Sequence, residues 1–456
     1  MTTPAASPTT APAPPATFDR ATWLRLLVLC TAVLFEGMSL SGINIQLADI
    51  RRDLALSPDR LQLVSSAFLA AYAGFLPAGG RFADRWGRRR MFRTGVTLFG
   101  AGSLAAALAQ GPLLLVAARA LQGLGAAVTA PAAVALIVTG FPEGTARNRA
   151  LGVFSAMGAA GFSLGVVLGG LLTDGTGWRG GFLVYVPLSL LVLALARRLP
   201  PDGTAVPAGR IGWAQPALLV AGLVTTVYAV GRAGTGSPTA VGAIAAVGLA
   251  ALALFGLVQS RSARPLLPPR LATDRRMVAA SLCLGGGFAA ITGAMFLVAT
   301  DLQDERGWSP LDSGLAFLPQ GLAVALLSTG AARLADRRPP SRLLLAGLAV
   351  LVLGQLAYVT VPSGTYATHL LPAALLVGAG IAIAYPAAAL LASAAAPAVD
   401  QGAASGLLTT CQQAGGALGV AAVTALESAS PGTGLWGCFA CTAVTFAGCA
   451  VLLRRP

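Results

Sequence analysis

The chain of 456 residues is 55% hydrophobic and only 11% charged, with a mean hydropathy of +0.75. Because ordinary soluble domains carry about 25% charged residues, this composition excludes a soluble globular protein and predicts a polytopic membrane protein. The net charge of +14 invites a nucleic-acid-binding interpretation, but the distribution of the arginines along the chain explains that charge without any nucleic acid.

The predicted elements begin with a tail. Residues 1–22 are rich in Pro, Ala and Thr, and we expect a disordered segment there without the features of a signal peptide. A helix that crosses a bilayer needs about 20 largely apolar residues. Fourteen apolar runs satisfy or approach this length and are predicted as membrane spans: Leu24–Leu47, Leu61–Ala78, Thr94–Leu108, Leu113–Val138, Leu151–Leu172, Phe182–Ala196, Trp213–Val230, Ala240–Val258, Met277–Val298, Ser313–Thr329, Leu343–Val361, Leu370–Leu391, Ala403–Ala425 and Leu435–Leu453.

The basic side chains indicate the orientation of these spans. When the sides alternate from a cytoplasmic N-terminus, most of the 31 basic residues fall in cytoplasmic connections, as the positive-inside rule requires. We therefore expect a multi-pass protein of a bacterial cytoplasmic membrane with both termini in the cytoplasm.

The connection between the second and third runs is unusually rich in charge. Residues 80–89 read GRFADRWGRR, which resembles motif A of the major facilitator superfamily, the loop between that family's second and third spans. A weaker echo, ARLADRR at residues 332–338, lies at the matching place in the second half. An acid at the end of a span can accept backbone N–H groups or pair with an Arg across the bundle interface, so we expect a structural latch here that stabilises one access state. We also expect the arginines to meet anionic lipid headgroups. The latch residues would be Gly80, Asp84, Arg85, Gly87 and Arg88.

The same resemblance implies an all-α fold of two six-helix bundles with the substrate site between them. Two extra central spans make the chain similar to the fourteen-span drug:proton antiporter branch. The predicted organisation is a tail (1–22), an N-terminal bundle (23–199), two linker spans with cytoplasmic loops (200–275) and a C-terminal bundle (276–456).

Two ionisable residues lie within spans of the first half, where a charge is costly and usually functional. Glu36 is about twelve residues, or roughly 18 Å, into the first span, and Arg119 is about six residues, or roughly 9 Å, from the outer end of the fourth. In a core about 30 Å thick these depths are similar, so we expect the two side chains to meet in a central cavity. Burial favours a protonated carboxyl, whereas a neighbouring guanidinium favours the ionised form. A carboxyl that alternates between these environments can load and release a proton.

The segment that begins RALQGLGA at Arg119 resembles motif B of the family, whose Arg and Gln are implicated in proton transfer. The resemblance therefore implies a proton-coupling role for Arg119 and Gln122 beside Glu36. In the first span the chain departs from the branch's pattern. Ser39 stands where that pattern has an acid, and Asn44 falls on its Asn. Either Glu36, one turn earlier, has taken over the acid's role, or it is a structural partner of Gln122 or Arg119.

The fifth span is rich in glycine. It resembles the antiporter-type motif C, with Val166 in place of the usual Pro. Small residues at GxxxG spacing let helices approach closely, so plain helix packing is the alternative interpretation. The residues that carry this pattern are Gly158, Gly161, Gly165, Gly169 and Gly170.

Polar residues in the spans are candidates for a substrate cavity. We select Ser39, Asn44, Gln320, Gln412 and Gln413 for this role, although each alone is typical of an interhelical hydrogen bond.

The predicted function is export of a small hydrophobic compound in exchange for protons. The alternative is a proton-coupled uptake symporter of a small organic solute, because residues 36–39 (EGMS) faintly resemble a pattern of importers. No catalytic constellation, metal-ligand cluster or nucleotide-binding loop is apparent, so we expect neither an enzyme nor a cofactor. The expected partners are the substrate, protons and the lipid bilayer, without nucleic acid, and the expected state is a monomer.

Overall fold

A computed structural model describes residues 19–142, 145–199, 214–262, 265–335, 337–360, 365–397 and 400–454. These residues form fifteen α-helices, one of them a short helix before the second bundle. The bounds are α1 Arg20–Leu54, α2 Pro58–Trp86, α3 Arg88–Ala107, α4 Pro112–Gly140, α5 Thr145–Leu183, α6 Tyr185–Leu195, α7 Ala214–Gly231, α8 Pro238–Arg261, α9 Pro269–Thr273, α10 Arg275–Thr300, α11 Pro310–Ala335, α12 Pro340–Val359, α13 Leu371–Ala395, α14 Gln401–Ala429 and α15 Gly434–Arg454.

Local sequence explains where several helices begin. The backbone N–H of Thr22 donates to the Asp19 carboxylate at 2.9 Å, so α1 starts at Arg20, within the segment predicted as a tail. The rest of that tail, residues 1–18, lies outside the described residues. Asp274 caps α10 in the same way, and proline occupies the first turn of α2, α4, α8 and α12, where its missing N–H costs nothing.

The fourteen predicted spans each coincide with a helix, which confirms the all-α polytopic fold. The sixth span departs from its predicted start because Gly177 adopts φ 73° and breaks α5. Its helix therefore begins at Trp178 and continues through α6. Positive φ is readily adopted by glycine because it lacks a Cβ.

Eleven helices of the described chain are long and apolar enough to cross a membrane by length and composition alone. The predicted spans outside this group are α3, the sixth span and α14. Helix α3 begins with three arginines, and α14 carries Thr409, Gln412 and Gln413 on a face that lines a cavity. Large apolar side chains such as Leu113, Leu326 and Val444 are more than 70% exposed, as expected for a surface that faces lipid.

Helices α1–α6 and α10–α15 form the two bundles, and α7 and α8 lie between them in the chain. Across the bundle interface, α2 packs against α14 and α5 packs against α11. Helix α7 contacts both bundles, with Val220 against Gly74 of α2 and Gly234, just beyond its end, against Ala425 of α14. Among the described residues of α8 Gly248 is buried, and Leu252 and Phe255 are partly buried against the hydrophobic clusters, so this helix contributes little to the core.

Because fourteen spans alternate in direction, the start of α1 at Arg20 and the end of α15 at Arg454 lie at one face, here called the termini face. At the opposite face the bundles are joined by an ion pair between Arg51 and Asp304 (2.9 Å) and by a hydrogen bond from Gln303 Nε2 to the carbonyl of Ile45 (3.0 Å). Ile45 also shares one buried cluster with Leu302. The two bundles are therefore held together at the face opposite the termini.

Candidate functional site

A cavity of about 300 Å³ lies between the two bundles, within the size range of small-molecule sites. Helices α1, α2 and α5 form one wall, and α10, α11, α13 and α14 form the other. Most of the lining is apolar or aromatic, which suits a hydrophobic ligand. The large side chains of the lining include Tyr72, Phe162, Phe288, Met295, Phe317 and Tyr385.

Glu36 places a carboxyl group in this apolar wall. The residue is 4% exposed, and its Oε2 is buried without a hydrogen-bond partner among the described residues. The described residues that line the cavity include no other carboxylate and no Arg, Lys or His. An ionised Glu36 would therefore have no cation beside it in the cavity lining.

Arg119 is completely buried beside α1 and α2. Its Nη1 donates to Ser39 Oγ and to Gln122 Oε1, both at 2.8 Å, and its Nε donates to the carbonyl of Val64 at 3.2 Å. The guanidinium lies 4.8 Å from the ring centre of Phe68, within the range of a cation–π contact. The structure thus holds this cation with neutral groups of three helices.

The expectation that Glu36 and Arg119 meet in the cavity was wrong. Ser39 lies three positions after Glu36, and three steps of about 100° bring their side chains to directions about 60° apart around α1. That rotation aims Glu36 at the gap between the bundles and Ser39 at α4. Similar depth in the membrane was therefore not enough to bring Glu36 and Arg119 into contact, because Glu36 would also have to lie on the side of α1 that faces α4.

Gln122 extends the polar contact of Arg119 into a network. Its Oε1 accepts from Arg119, and its Nε2 donates to Ser103 Oγ at 2.8 Å. Ser103 in turn donates to the carbonyl of Phe99. The network ties α4 to α1, α2 and α3, and none of its side chains lines the cavity as described.

The five residues selected for the substrate cavity separate into two groups. Gln320, Gln412 and Gln413 line it. Ser39 contacts Arg119 instead, and Asn44 donates to the carbonyl of Ser41 at 3.2 Å. Neither Ser39 nor Asn44 belongs to the described lining: Ser39 turns toward Arg119 of α4, and Asn44 bonds to the backbone of its own helix.

The glycine-rich fifth span lies against α1. A Cβ at Gly165 would overlap the carbonyl oxygen of Met38 and lie 2.5 Å from its Cα, and a Cβ at Gly169 would lie 2.9 Å from the Cα of Gly42. A Cβ added at Gly161 would overlap the backbone of Leu34 in the same way. A Cβ at Gly158 would have one neighbouring atom within 4 Å, at 3.6 Å, and a Cβ at Gly170 would meet the backbone of α11. Ser41 Oγ donates across this contact to the carbonyl of Phe162 at 2.6 Å.

The charged connection between α2 and α3 turns at Gly87, whose φ of 94° ends one helix and precedes the next. Arg88 opens α3, and the guanidinium of Arg85 lies 5.9 Å from the ring centre of Trp86. A Cβ at Gly80 would have open space around it. The side chain of Asp84 lies outside the described residues.

Several cavity residues were not selected from the sequence. Tyr72, Phe162 and Phe288 line the cavity, but a mid-span aromatic is equally typical of lipid-facing and packed positions. Tyr72 beside a buried carboxyl had no sequence signal, because Glu36 and Tyr72 are brought together only by the packing of α1 on α2.

Two helical bundles around a cavity with one buried acid define a membrane transporter, and a profile of the Major Facilitator Superfamily matches residues 27–420. The chain belongs to that family. It is 38% identical over 416 residues to the puromycin resistance protein pur8 of Streptomyces alboniger, covering 90% of this chain and 82% of that protein. It is 35% identical to the cephamycin export protein CmcT of Amycolatopsis lactamdurans, covering 87% and 83%.

Solved structures share the fold at low sequence identity. A single-residue mutant of the peptide transporter POT in complex with sulfate has a TM-score of 0.68 at 18% identity, with 94% of this chain and 93% of that chain covered. The inward-open xylose transporter XylE from E. coli has a TM-score of 0.66 at 14% identity, with 94% and 95% covered. The chain is thus a multi-pass membrane transporter related to drug and antibiotic efflux proteins, and this family membership also supports the prediction that it is not an enzyme.

Proposed function

We propose that this transporter exports a small hydrophobic compound by proton antiport, with Glu36 as the group that carries the proton. The observation that carries this proposal is the Glu36 carboxyl, buried without a partner in the wall of an apolar cavity between the bundles. An intramembrane acid in such a position marks a substrate or proton pathway.

The cycle follows from the cost of a buried charge. Without a cation in the cavity, desolvation favours the protonated carboxyl. A substrate with a positive or strongly polar group stabilises the ionised form, so binding releases the proton. After the substrate leaves at the other face, reprotonation restores the neutral acid. Proton and substrate thus occupy the same place in turn.

Arg119 and Gln122 support this step from behind the cavity wall. Arg119 contacts Ser39, one helical turn from Glu36 along α1, and so contributes positive potential near the carboxyl without neutralising it directly. We assign the motif A residues Gly80, Asp84, Arg85, Gly87 and Arg88 to a latch at the termini face. The glycines of α5 set the close packing of α1, and Gln320, Gln412 and Gln413 contact substrate.

The proposed setting is a monomer in the cytoplasmic membrane with the termini face toward the cytoplasm. This orientation places the arginine-rich connections inside. The four segments divided at residues 22, 199 and 275 remain the proposed organisation. In this orientation the contacts between Arg51 and Asp304 and between Gln303 and Ile45 close the periplasmic side.

The test uses everted membrane vesicles with an acidic interior and puromycin as the probe, chosen because a similar protein confers puromycin resistance. Export by antiport predicts that puromycin added outside dissipates the gradient with the wild type and not with Glu36→Gln. The matched control is Glu305→Gln, an exposed acid at the opposite face, which should behave as the wild type. A gradient that puromycin leaves intact, or a fully active Glu36→Gln, would reject the proposal.

A further inference from the structure

Both walls of the cavity carry polar side chains, with Tyr72 and Ser163 beside Glu36 on one wall and Thr409, Gln412 and Gln413 on the other. The wall from α1, α2 and α5 presents the Glu36 carboxylate, which accepts hydrogen bonds when ionised. The opposite wall presents the amide of Gln320 and the phenol of Tyr385. Tyr385 Oη is buried without a hydrogen-bond partner among the described residues. A phenol in this position has a free O–H to donate.

Tyr358 contacts the Gln320 amide from behind the cavity wall. It lies on α12, is 2% exposed and does not belong to the described lining. Its hydroxyl donates to Gln320 Oε1 at 3.1 Å. Because the amide oxygen is held from behind, the amide nitrogen is the end left for the cavity, and an amide nitrogen only donates.

We propose that Tyr358 is a positioning residue, and that it makes the wall containing Gln320 and Tyr385 a donor wall for an acceptor oxygen of the substrate. This inference rests on the proposed function in taking the cavity as the substrate site and Glu36 as the partner of a basic group on the substrate. The substrate class is a hydrophobic compound with a basic group for Glu36 and a carbonyl or ether oxygen for the donor wall. When a compound without that oxygen binds, the buried donors have no hydrogen-bond acceptor, which is unfavourable in an apolar cavity.

The test measures equilibrium binding to purified protein in detergent, where no proton gradient is needed. The first probe is radiolabelled puromycin, which has an amine and several acceptor oxygens. The second is tetraphenylphosphonium, a hydrophobic cation without a hydrogen-bond acceptor. The variants are Tyr358→Phe, Gln320→Leu and their combination, and Tyr228→Phe on α7 is the control that removes a hydroxyl away from the cavity.

Loss of one neutral hydrogen bond corresponds to about a 3–10-fold change in Kd. We expect Tyr358→Phe and Gln320→Leu each to raise the Kd of puromycin by about this factor and to leave that of tetraphenylphosphonium unchanged. The double variant should bind puromycin as Gln320→Leu does, because Tyr358 acts through Gln320. Tyr228→Phe should leave both affinities unchanged.

Three results would overturn the donor wall: an unchanged puromycin affinity in Tyr358→Phe, parallel weakening of both probes in that variant, or binding of tetraphenylphosphonium but not puromycin by the wild type. The proposed function fails separately. A Glu36→Gln variant that keeps proton-coupled transport rejects the antiport step, whereas the difference between the two probes in Tyr358→Phe is unaffected by that result.

Discussion

Gly165→Ala tests the contact between α1 and α5 most severely. The added Cβ would lie 2.5 Å from the Cα of Met38, where carbon atoms normally stay about 3.5–4.0 Å apart. The helices must separate by about 1 Å to relieve this, at an overpacking cost of about 1–3 kcal/mol. Separation also weakens the hydrogen bond from Ser41 to the carbonyl of Phe162, worth about 1 kcal/mol. The better helix propensity of alanine offsets about 1 kcal/mol of this cost, so the free energy of unfolding should fall by a net amount of about 1–3 kcal/mol.

The assay is reversible unfolding of purified protein in mixed micelles, followed by helical circular dichroism as the denaturing detergent increases. Gly152→Ala is the matched control on the same helix, since no atom lies within 4 Å of its added Cβ. That control should keep or slightly raise the free energy of unfolding. Gly158→Ala, with one neighbour at 3.6 Å, should resemble the control. If Gly165→Ala proved as stable as Gly152→Ala, the described packing of α1 on α5 would be wrong.

Three further changes address the acid, its neighbour and the closed face. Adding Ser39→Asp to Glu36→Gln should not restore proton-coupled transport in everted vesicles, because the new carboxyl would replace a hydroxyl that lies outside the described cavity lining and 2.8 Å from Arg119 Nη1, where the guanidinium favours the ionised form; restored transport would show that the proton-carrying acid need not lie in the cavity wall. Arg119→Lys should abolish transport while the protein still folds, because an ammonium group cannot reproduce the planar fork that reaches three acceptors; normal transport rates would refute this. Arg51→Ala should raise the population of the conformation that is open at the face opposite the termini by at most about five-fold, since a partly exposed ion pair contributes about 0.2–1 kcal/mol. Spin-label distances across that face that are unchanged from the wild type would show that the pair with Asp304 does not hold it closed.

The sequence was sufficient for the fold because hydropathy records where a helix enters and leaves the bilayer. The helix rotations were harder to predict, since lipid and protein interior are both apolar and the hydrophobic pattern does not separate them. Glu36 and Ser39 illustrate this limit: both were placed in the correct span, but only packing shows that one turns to the cavity and the other to Arg119. The contact of Tyr358 with Gln320 likewise depends on how α12 sits against α11, which no local pattern records.

The break at Gly177 has a different cause. A glycine within an apolar stretch is as compatible with a continuous helix as with a positive φ, so the sequence did not fix where the fifth span ends. The cavity glutamines Gln320, Gln412 and Gln413 were accessible to prediction because a primary amide in the membrane needs a partner or a polar space. The aromatic lining offered no such signal.

The central claim is that the proton and the substrate compete for Glu36, and one measurement tests it most directly: the protons released when puromycin binds purified protein in weakly buffered detergent solution. The account predicts net release from the wild type and from Glu305→Gln, and none from Glu36→Gln at concentrations that still saturate binding. Equal release from Glu36→Gln would contradict it.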